Sequence, residues 1–354
     1  MPPVWYVYPM WHRVSFTLVA RKHLEQLKKR MRIHEIDELA FPHVSPHTRP
    51  VVLIHPYFYC MLRAAKFISR KLHRYGALIG IDVADSDHLS NLAVSMSYYA
   101  RRMIVPSTFC KRVFERSGVT VPVDVVPHGL DMEWYEKPKQ IGKFFPELAK
   151  IKERKRIKFV LFFLWHSGYR KGDDLVIEWY KRLWKERKDV AIILKTGVKE
   201  AVQAQILRPF NCVHIFGWLT EEQKMELFDL ADIYPLFSRG GAFEINGLEA
   251  IARLVPVLAA KGGAWEDYLP SWSLVDSHRC KCVLPNNPLH DGGGVEIEVE
   301  KAVDRAHIIL DNLDDYRERL REHIEKRVKH VFNWEAVGER LYKIIVEVIE
   351  EVSR

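Results

Sequence analysis

The sequence predicts an α/β protein built from two doubly wound, Rossmann-like domains in tandem. Three observations carry this. The chain has 354 residues, more than one hydrophobic core usually serves. Short continuous apolar runs alternate with stretches of helical period, the pattern of parallel strands covered by helices on both faces. The alternation breaks once, over 135–157, in a polar, basic, proline-containing stretch, and then restarts.

From the N-terminus, "VWYVYP" (4–9) is an apolar and aromatic run ending in proline, a strand. Between Ser15 and Arg32, Leu24, Leu27 and Met31 recur at helical spacing among lysines and arginines. "VVLIHP" (51–56) and "ALIGID" (77–82) are buried strands with a helical stretch to His73 between them. "RMIVPS" (101–106) and "VDVVPHG" (123–129) flank the helix "TFCKRVFERSG". After the break, "IKFVLFFLW", "VAIILKTG", "CVHIFGW", "DIYPLF" and "VPVLAA" are strands, interleaved with helices such as "DDLVIEWYKRLWKER", "TEEQKMELFDLA" and "EINGLEAIARL". "FNWEAVGERLYKIIVEVIEEV" is a long amphipathic helix. The expected organisation is a first domain over 1–140, a linker over 141–157, a second domain over 158–330, and a helix over 331–354 packing back across the interface. There is no 20–50-residue repeat, no G-x-G-x-x-G and no G-x-x-x-x-G-K-[ST].

Composition excludes several classes. Hydrophobic residues make up 48%, which argues against disorder. The longest clean apolar run, "FVLFFLW" from Phe159, is too short to cross a bilayer, and the N-terminus lacks the basic and apolar regions of a signal peptide. Five scattered cysteines fit free thiols in a reducing cytosol. His278, Cys280 and Cys282 lack the usual ligand spacing of a zinc site. Seven Asn and five Gln beside 28% charged residues hint at a heat-adapted protein. The net charge is +8, and residues 1–75 alone hold 13 Lys and Arg against 4 Asp and Glu. Such a segment attracts anions: phosphates, nucleic acid or an acidic membrane surface. No nucleic-acid recognition motif accompanies it.

Open parallel sheets bind ligands beyond the carboxyl ends of their strands. After "FVLFFLW" come His166, Ser167, Gly168, Tyr169, Arg170, Lys171 and Gly172: adjacent cations and glycines before a helix, a combination that suits a diphosphate. After "HIF" come Gly217, Trp218 and Leu219, where exposed backbone can face a base edge. After "IYPLF" comes "SRGGAFEINGLEAIARL", a glycine-rich loop entering a helix. Glu249 lies where a carboxylate can accept hydrogen bonds from a ribose diol, and Glu244 where it can accept from hexose hydroxyls. Helix-dipole preference alone explains one glutamate but not the glycines around it.

These stretches resemble the GT-B-fold retaining glycosyltransferases of family 4, the group 1 glycosyltransferases. The family segment E-G-F-G-x-P-x-x-E-A-x-A-x-G-x-P-V is similar to "GAFEINGLEAIARLVPV", with Phe243, Leu248, Glu249, Ala250, Ala252, Pro256 and Val257 in place. "RKGDDLVIEW", "VPSTFCKRVFERSGVTVPVDVVPHGLD" and "FNWEAVGERL" resemble three further family elements. Two departures stand out: the family's first glutamate, eight before the second, falls on Gly241, and the arginine five before the lysine falls on His166.

The resemblance implies two domains facing a cleft, in a hexosyltransferase that moves a sugar from a UDP- or GDP-linked donor to a glycan or lipid-linked acceptor with retention. It implies a metal-independent reaction without cofactor; the free thiols point to the cytoplasm, and the basic helix around 21–32 with the charge of residues 1–75 points to peripheral contact with the anionic inner face of the membrane. Lys171, Arg170 and His166 would act on the leaving group, with Asp85 (beside Asp82 and His88) facing the donor sugar. Glu249, Glu244, Asn246, Gly247, Leu248, Gly168, Gly217 and Trp218 would bind the donor. A nucleotide-sugar epimerase of the same fold and a non-catalytic polyanion-binding relative are the alternatives.

Overall fold

The computed structural model describes residues 2–12 and 14–353. Packing divides the chain into two compact units, one of 1–129, 284–292 and 331–354, the other of 130–283 and 293–330.

In the first unit β1 (Val4–Tyr8), β2 (Ile33–Asp37), β3 (Val51–Ile54), β4 (Ala77–Ile81), β5 (Arg102–Val105) and β6 (Val123–Val125) form a parallel sheet in the order β2-β1-β3-β4-β5-β6. The helices are α1 (Ser15–Leu27), α2 (Tyr57–Ser69), α3 (Asn91–Ser97) and α4 (Thr108–Ser117). β3 and β4 are buried along their whole length, as apolar runs covered on both faces must be. β2, "IHEID", was not expected: it is a half-buried edge strand with no continuous apolar run. The C-terminal helix (Trp334–Ser353) buries Val337, Leu341, Ile344, Ile345 and Val348 in this unit's core beside Leu24 and Leu27 of α1. The two helices approach so closely that a Cβ on Gly338 would lie 2.2 Å from Gln26 Cβ.

In the second unit the elements run α5 (Glu133–Glu136), α6 (Pro146–Lys155), β7 (Lys158–Leu164), α7 (Gly168–Lys171), α8 (Asp173–Glu186), β8 (Val190–Thr196), α9 (Val202–Leu207), β9 (Cys212–Phe216), α10 (Glu221–Leu230), β10 (Tyr234–Leu236), α11 (Ile245–Ala252), β11 (Val257–Ala260), β12 (Leu274–Val275), β13 (Ser277–Cys280), β14 (Gly294–Ile297), α12 (Val299–Asp311) and α13 (Leu313–His323). β7-β8-β9 and β10-β11-β12 are parallel, and a parallel bridge between Val160 and Ile233 joins the two sets. β13 and β14 make an antiparallel hairpin that the alternating pattern did not announce. The chain leaves this unit after Val283 and returns at Gly293; in between, Pro288 O accepts from Ser90 Oγ at 2.7 Å within the first unit.

The stretch expected as a linker, 141–157, is instead woven into the second unit. The backbone N–H groups of Gly142, Phe144 and Phe145 donate to the buried Glu226 carboxylate at 2.7–3.0 Å. Gln140 N donates to Asp229 at 2.9 Å, and Lys152 pairs with the buried Asp232. Buried carboxylates need donors, and this polar, basic segment supplies them. Its composition, read as that of a spacer, is that of a partner to acidic groups.

Candidate functional site

The site is built on the carboxyl ends of the second unit's strands. β7 ends at Leu164, and the turn of α7 follows. Gly172 closes it with φ 68°, and a Cβ there would lie 2.1 Å from Phe237 O, so only glycine fits. Arg239, 3% exposed, clamps this turn: its guanidinium meets Asp174 twice at 2.7 Å, Glu296 at 2.6 Å and Tyr169 O at 2.8 Å, and lies 4.0 Å over the Tyr169 ring.

The turn presents its two cations to the glycine-rich loop. Lys171 Nζ donates to both carboxylate oxygens of Glu244, at 2.6 and 2.5 Å. Arg170 is buried; its Nη1 donates to Gly240 O at 2.9 Å and lies 3.6 Å from Glu244. Glu244 is left-handed, with φ 63°, and immediately precedes α11, whose first N–H groups carry the positive end of the helix dipole. Two cations, a carboxylate and a helix N-terminus therefore converge where an anion with attached hydroxyls can be held.

One turn into α11, Glu249 is 2% exposed and accepts from Lys224 Nζ at 2.6 Å and Asn246 Nδ2 at 2.8 Å. Burial pushes its carboxyl above the usual range, against the pull of Lys224. Further along the sheet ends, Lys195 is 4% exposed and donates to Thr196 O at 2.9 Å and Gly217 O at 2.5 Å, 5.0 Å from the Trp165 ring. Burial lowers its ammonium to about 8. Trp165 and Trp218 are 54% and 60% exposed and meet edge to face at 5.6 Å, an aromatic wall of the kind on which a base can stack.

The structure thus brings Arg170, Lys171 and Glu244 together, Asn246 with Glu249, and Gly217 with Trp218. The side chain of Leu248 is fully buried in the core, so its backbone is what can serve a ligand. Gly247 is likewise internal: a Cβ there would lie 2.5 Å from Tyr268 Oη and 2.6 Å from Leu236 Cδ1. Gly168 lies against the Asp173 carboxylate. His166 is exposed, with Nδ1 2.7 Å from Ser167 Oγ. Asp85 lies in the first unit with Asp82 and His88. There Asp82 accepts from Phe58 N at 2.5 Å and Val83 N at 2.8 Å, capping α2, and burial raises it to about 7. His88 pairs with Asp291 at 2.7 Å.

Sequence reasoning missed Lys195, Lys224, Arg239 and Trp165. A lysine inside the apolar run "VAIILKTG" was the available signal for the first; Lys224 sits in an ordinary polar helix and gave none. His278 of the hairpin lies 3.4 Å from Glu296. Among the described residues no group of three or more His, Cys, Asp or Glu is placed to hold a metal.

Comparison with solved structures defines the class of fold. The chain superposes on sucrose-phosphate synthase from Thermosynechococcus elongatus with a TM-score of 0.66 at 11% identity, over 99% of this chain and 100% of that one. It superposes on the UDP-forming alpha,alpha-trehalose-phosphate synthase of Burkholderia xenovorans with a TM-score of 0.63 at 10% identity, over 87% and 74% of the two chains. The fold is that of the GT-B glycosyltransferases. The chain belongs to one family with uncharacterized protein 356 of Sulfolobus islandicus rod-shaped virus 1, to which it is 35% identical over 99% of both chains. It is also 27% identical to "Putative glycosyltransferase 45" of a Sulfolobus islandicus filamentous virus (isolate Iceland/Hveragerdi), over 82% of this chain and 80% of that one. No protein-family model matches.

Proposed function

We propose that the protein is a retaining hexosyltransferase, of the family 4 kind, that moves a sugar from a UDP- or GDP-linked donor to a glycan or lipid-linked acceptor. The observation that carries this reading is the convergence of Lys171, Arg170 and Glu244 on the N-terminus of α11 within a GT-B fold. In the proposed reaction the bond between the sugar anomeric carbon and the diphosphate oxygen breaks. The acceptor hydroxyl oxygen bonds to that carbon on the same face, and its proton passes to the departing phosphate. Lys171 and the helix N–H groups stabilise the charge that develops on the leaving group, so the reaction needs no metal and turnover should survive chelation. The buried Glu249 carboxylate holds the ribose, and Trp165 and Trp218 take the base.

A thermal-shift panel of nucleotide sugars tests the reading. A donor at 100 times its dissociation constant should stabilise the protein by about 2.7 kcal/mol. No shift with any nucleotide sugar, together with salt-sensitive binding of a polyanion, would replace it.

The acceptor reading extends to a membrane surface. No helix among the described residues is long and apolar enough to cross a membrane. Yet Trp11 is 80% exposed, Val14 and Leu18 are exposed beside it in sequence, and the exposed Arg21 donates to Met10 O at 3.3 Å. Aromatic and basic groups together favour peripheral contact with anionic lipid, at about 1 kcal/mol per cation near the surface. Flotation should recover the protein with anionic vesicles and not with neutral ones; equal recovery would remove the membrane from this proposal.

A further inference from the structure

Gly241 and Glu244 are three residues apart in the loop before α11, and their geometry is reciprocal. A Cβ built on Gly241 would lie 2.1 Å from Glu244 Oε1, 2.9 Å from its Cδ and 3.1 Å from its Cγ. The end of the Glu244 side chain therefore fills the volume into which a side chain at 241 would project. Gly241 itself has no left-handed backbone, so its conformation does not demand glycine; the occupied space does. Glu244 is the left-handed residue, and its backbone is fastened: its carbonyl accepts from Tyr268 Oη at 2.7 Å and from Gly247 N at 3.0 Å. Tyr268 is 1% exposed, packs its ring 5.3 Å from that of Phe243 and has its own carbonyl held by His323 at 2.8 Å.

We infer that Glu244 supplies the carboxylate of a side chain at position 241, delivered from three residues downstream by a left-handed turn, and that Tyr268 is the positioning residue for that turn. The inference rests on the function proposed above for the role of the carboxylate, which is to orient Lys171 and accept hydrogen bonds from hydroxyls of the donor hexose. It explains three otherwise separate facts: the glycine at 241, the unfavourable φ of a non-glycine residue at 244, and a buried tyrosine hydroxyl committed to a loop carbonyl. The carboxylate that the resembled family places eight residues before Glu249 is thus still present in space, although absent from its place in the sequence.

The consequence is that 241 and 244 form one functional position. The test uses Gly241→Ala, Glu244→Gln, the double variant, the relocation variant Gly241→Asp/Glu244→Gln, and Tyr268→Phe. One readout needs no activity: the rate at which Lys171 is acetylated at fixed pH, followed by mass spectrometry against the exposed Lys326 as internal standard. The Glu244 carboxylate occupies the amine through two charge-assisted hydrogen bonds, at 2.6 and 2.5 Å, so losing it should free the amine and raise the Lys171 rate by about tenfold, the scale of one such bond. Gly241→Ala and Glu244→Gln should give the same rise, because the methyl group evicts the carboxylate that the glutamine removes. The double variant should rise no further, and the relocation variant should return Lys171 to within about twofold of the native rate, because it restores the hydrogen-bonded partner. Tyr268→Phe, which keeps the ring, should release Lys171 part of the way.

Additive effects at 241 and 244, or a native rate in Gly241→Ala, would overturn the inference. So would a relocated carboxylate that leaves Lys171 as reactive as in Glu244→Gln. The second readout, hydrolysis of UDP-glucose and GDP-mannose, should follow the same ranking. If the native protein turns over no nucleotide sugar, the proposed function fails, while the acetylation series still decides whether Glu244 fills the role of residue 241.

Discussion

The two units are both built on parallel sheets, in different strand orders, and their sheet ends differ in charge. In the second unit they carry ions: Lys171 with Glu244, Lys224 with Glu249, and the buried Lys195. In the first unit Glu38 after β2 is paired with Arg63, but the end of β3, at His55, meets a cluster of neutral groups. Tyr6 Oη lies 2.9 Å from His23 Nδ1 and 3.3 Å from His55 Nδ1, and the two imidazoles stack at 5.9 Å. His23 and His128 lie 6.1 and 6.3 Å from the Trp334 ring. Burial drives His55 well below its ordinary value, His23 to about 3 and His128 to about 4. The difference teaches that a parallel sheet can present either a fixed field or a neutral, hydrogen-bonding surface, depending on which side chains follow the strands. On the proposed function, the charged unit suits a diphosphate and the neutral one suits a hydroxyl-bearing acceptor.

Acid should break this contrast most strongly. The unfolded histidines take up protons near 6.5, whereas the folded ones resist until far lower pH, so the unfolded state binds more protons between those values. Stability is therefore fully present above about pH 6.5 and is lost as pH falls from there towards 4, by about 1.4 kcal/mol per pH unit for each such histidine. Melting curves from pH 7.5 to 4.5 should show this loss, and His23→Gln should reduce the slope by about one proton. A pH-independent midpoint would show that the imidazoles are not held neutral.

The second unit's charges should matter to turnover rather than to folding. Lys171→Ala should lower turnover on the order of 100-fold, about 2.7 kcal/mol, the scale of losing one transition-state charge partner. Lys171 ends the α7 turn, 24% exposed along its side chain, and Glu244 keeps Arg170 at 3.6 Å, which limits the cost of stranding its carboxylate, so the melting temperature should fall little. Normal turnover in this variant would move the clamp to another residue, with His166 the first to examine.

How much of this was legible in the sequence follows from burial. β3, β4, β7, β8 and β11 are covered on both faces, and their unbroken apolar runs announced them. β2 at the sheet edge and the β13–β14 hairpin carry mixed side chains, and periodicity was silent there. Lys171, Glu244 and Glu249 were legible because charged residues beside glycines at strand ends are unusual. That Glu244 reaches back over Gly241 was not, since a left-handed residue is fixed by Tyr268, 24 positions away. That the side chain of Leu248 turns inward was not legible either: residues neighbouring in a motif share a helix but not a face, and α11 turns Leu248 into the core. The 141–157 segment was misread because the carboxylates it serves, Glu226 and Asp232, lie more than 70 residues further on.

The smallest expected effect sharpens the comparison inside the second unit, between its two lysine–glutamate pairs. Glu244 sits on a loop; Glu249 sits in a helix, with Asn246 as well as Lys224 donating to it. Glu249→Gln removes the charge but keeps the volume, so no cavity opens. Lys224 keeps a second partner in Glu221 at 3.1 Å, which limits the loss of stability from stranding a buried cation. On the proposed function, the glutamine loses a charged acceptor facing the ribose, about 1.5–3 kcal/mol. That contact exists in ground and transition states alike, so the loss falls on donor affinity and leaves turnover at saturation nearly unchanged. Free nucleoside diphosphate should weaken by the same factor, because it carries the same ribose. Glu244→Gln should behave oppositely, binding the free nucleotide almost as the native protein does while transfer falls. Calorimetry with UDP and GDP, beside a turnover assay, separates the two. If Glu249→Gln binds both nucleotides as tightly as the native protein and only melts earlier, Glu249 is a structural partner of Lys224, and the ribose is held elsewhere.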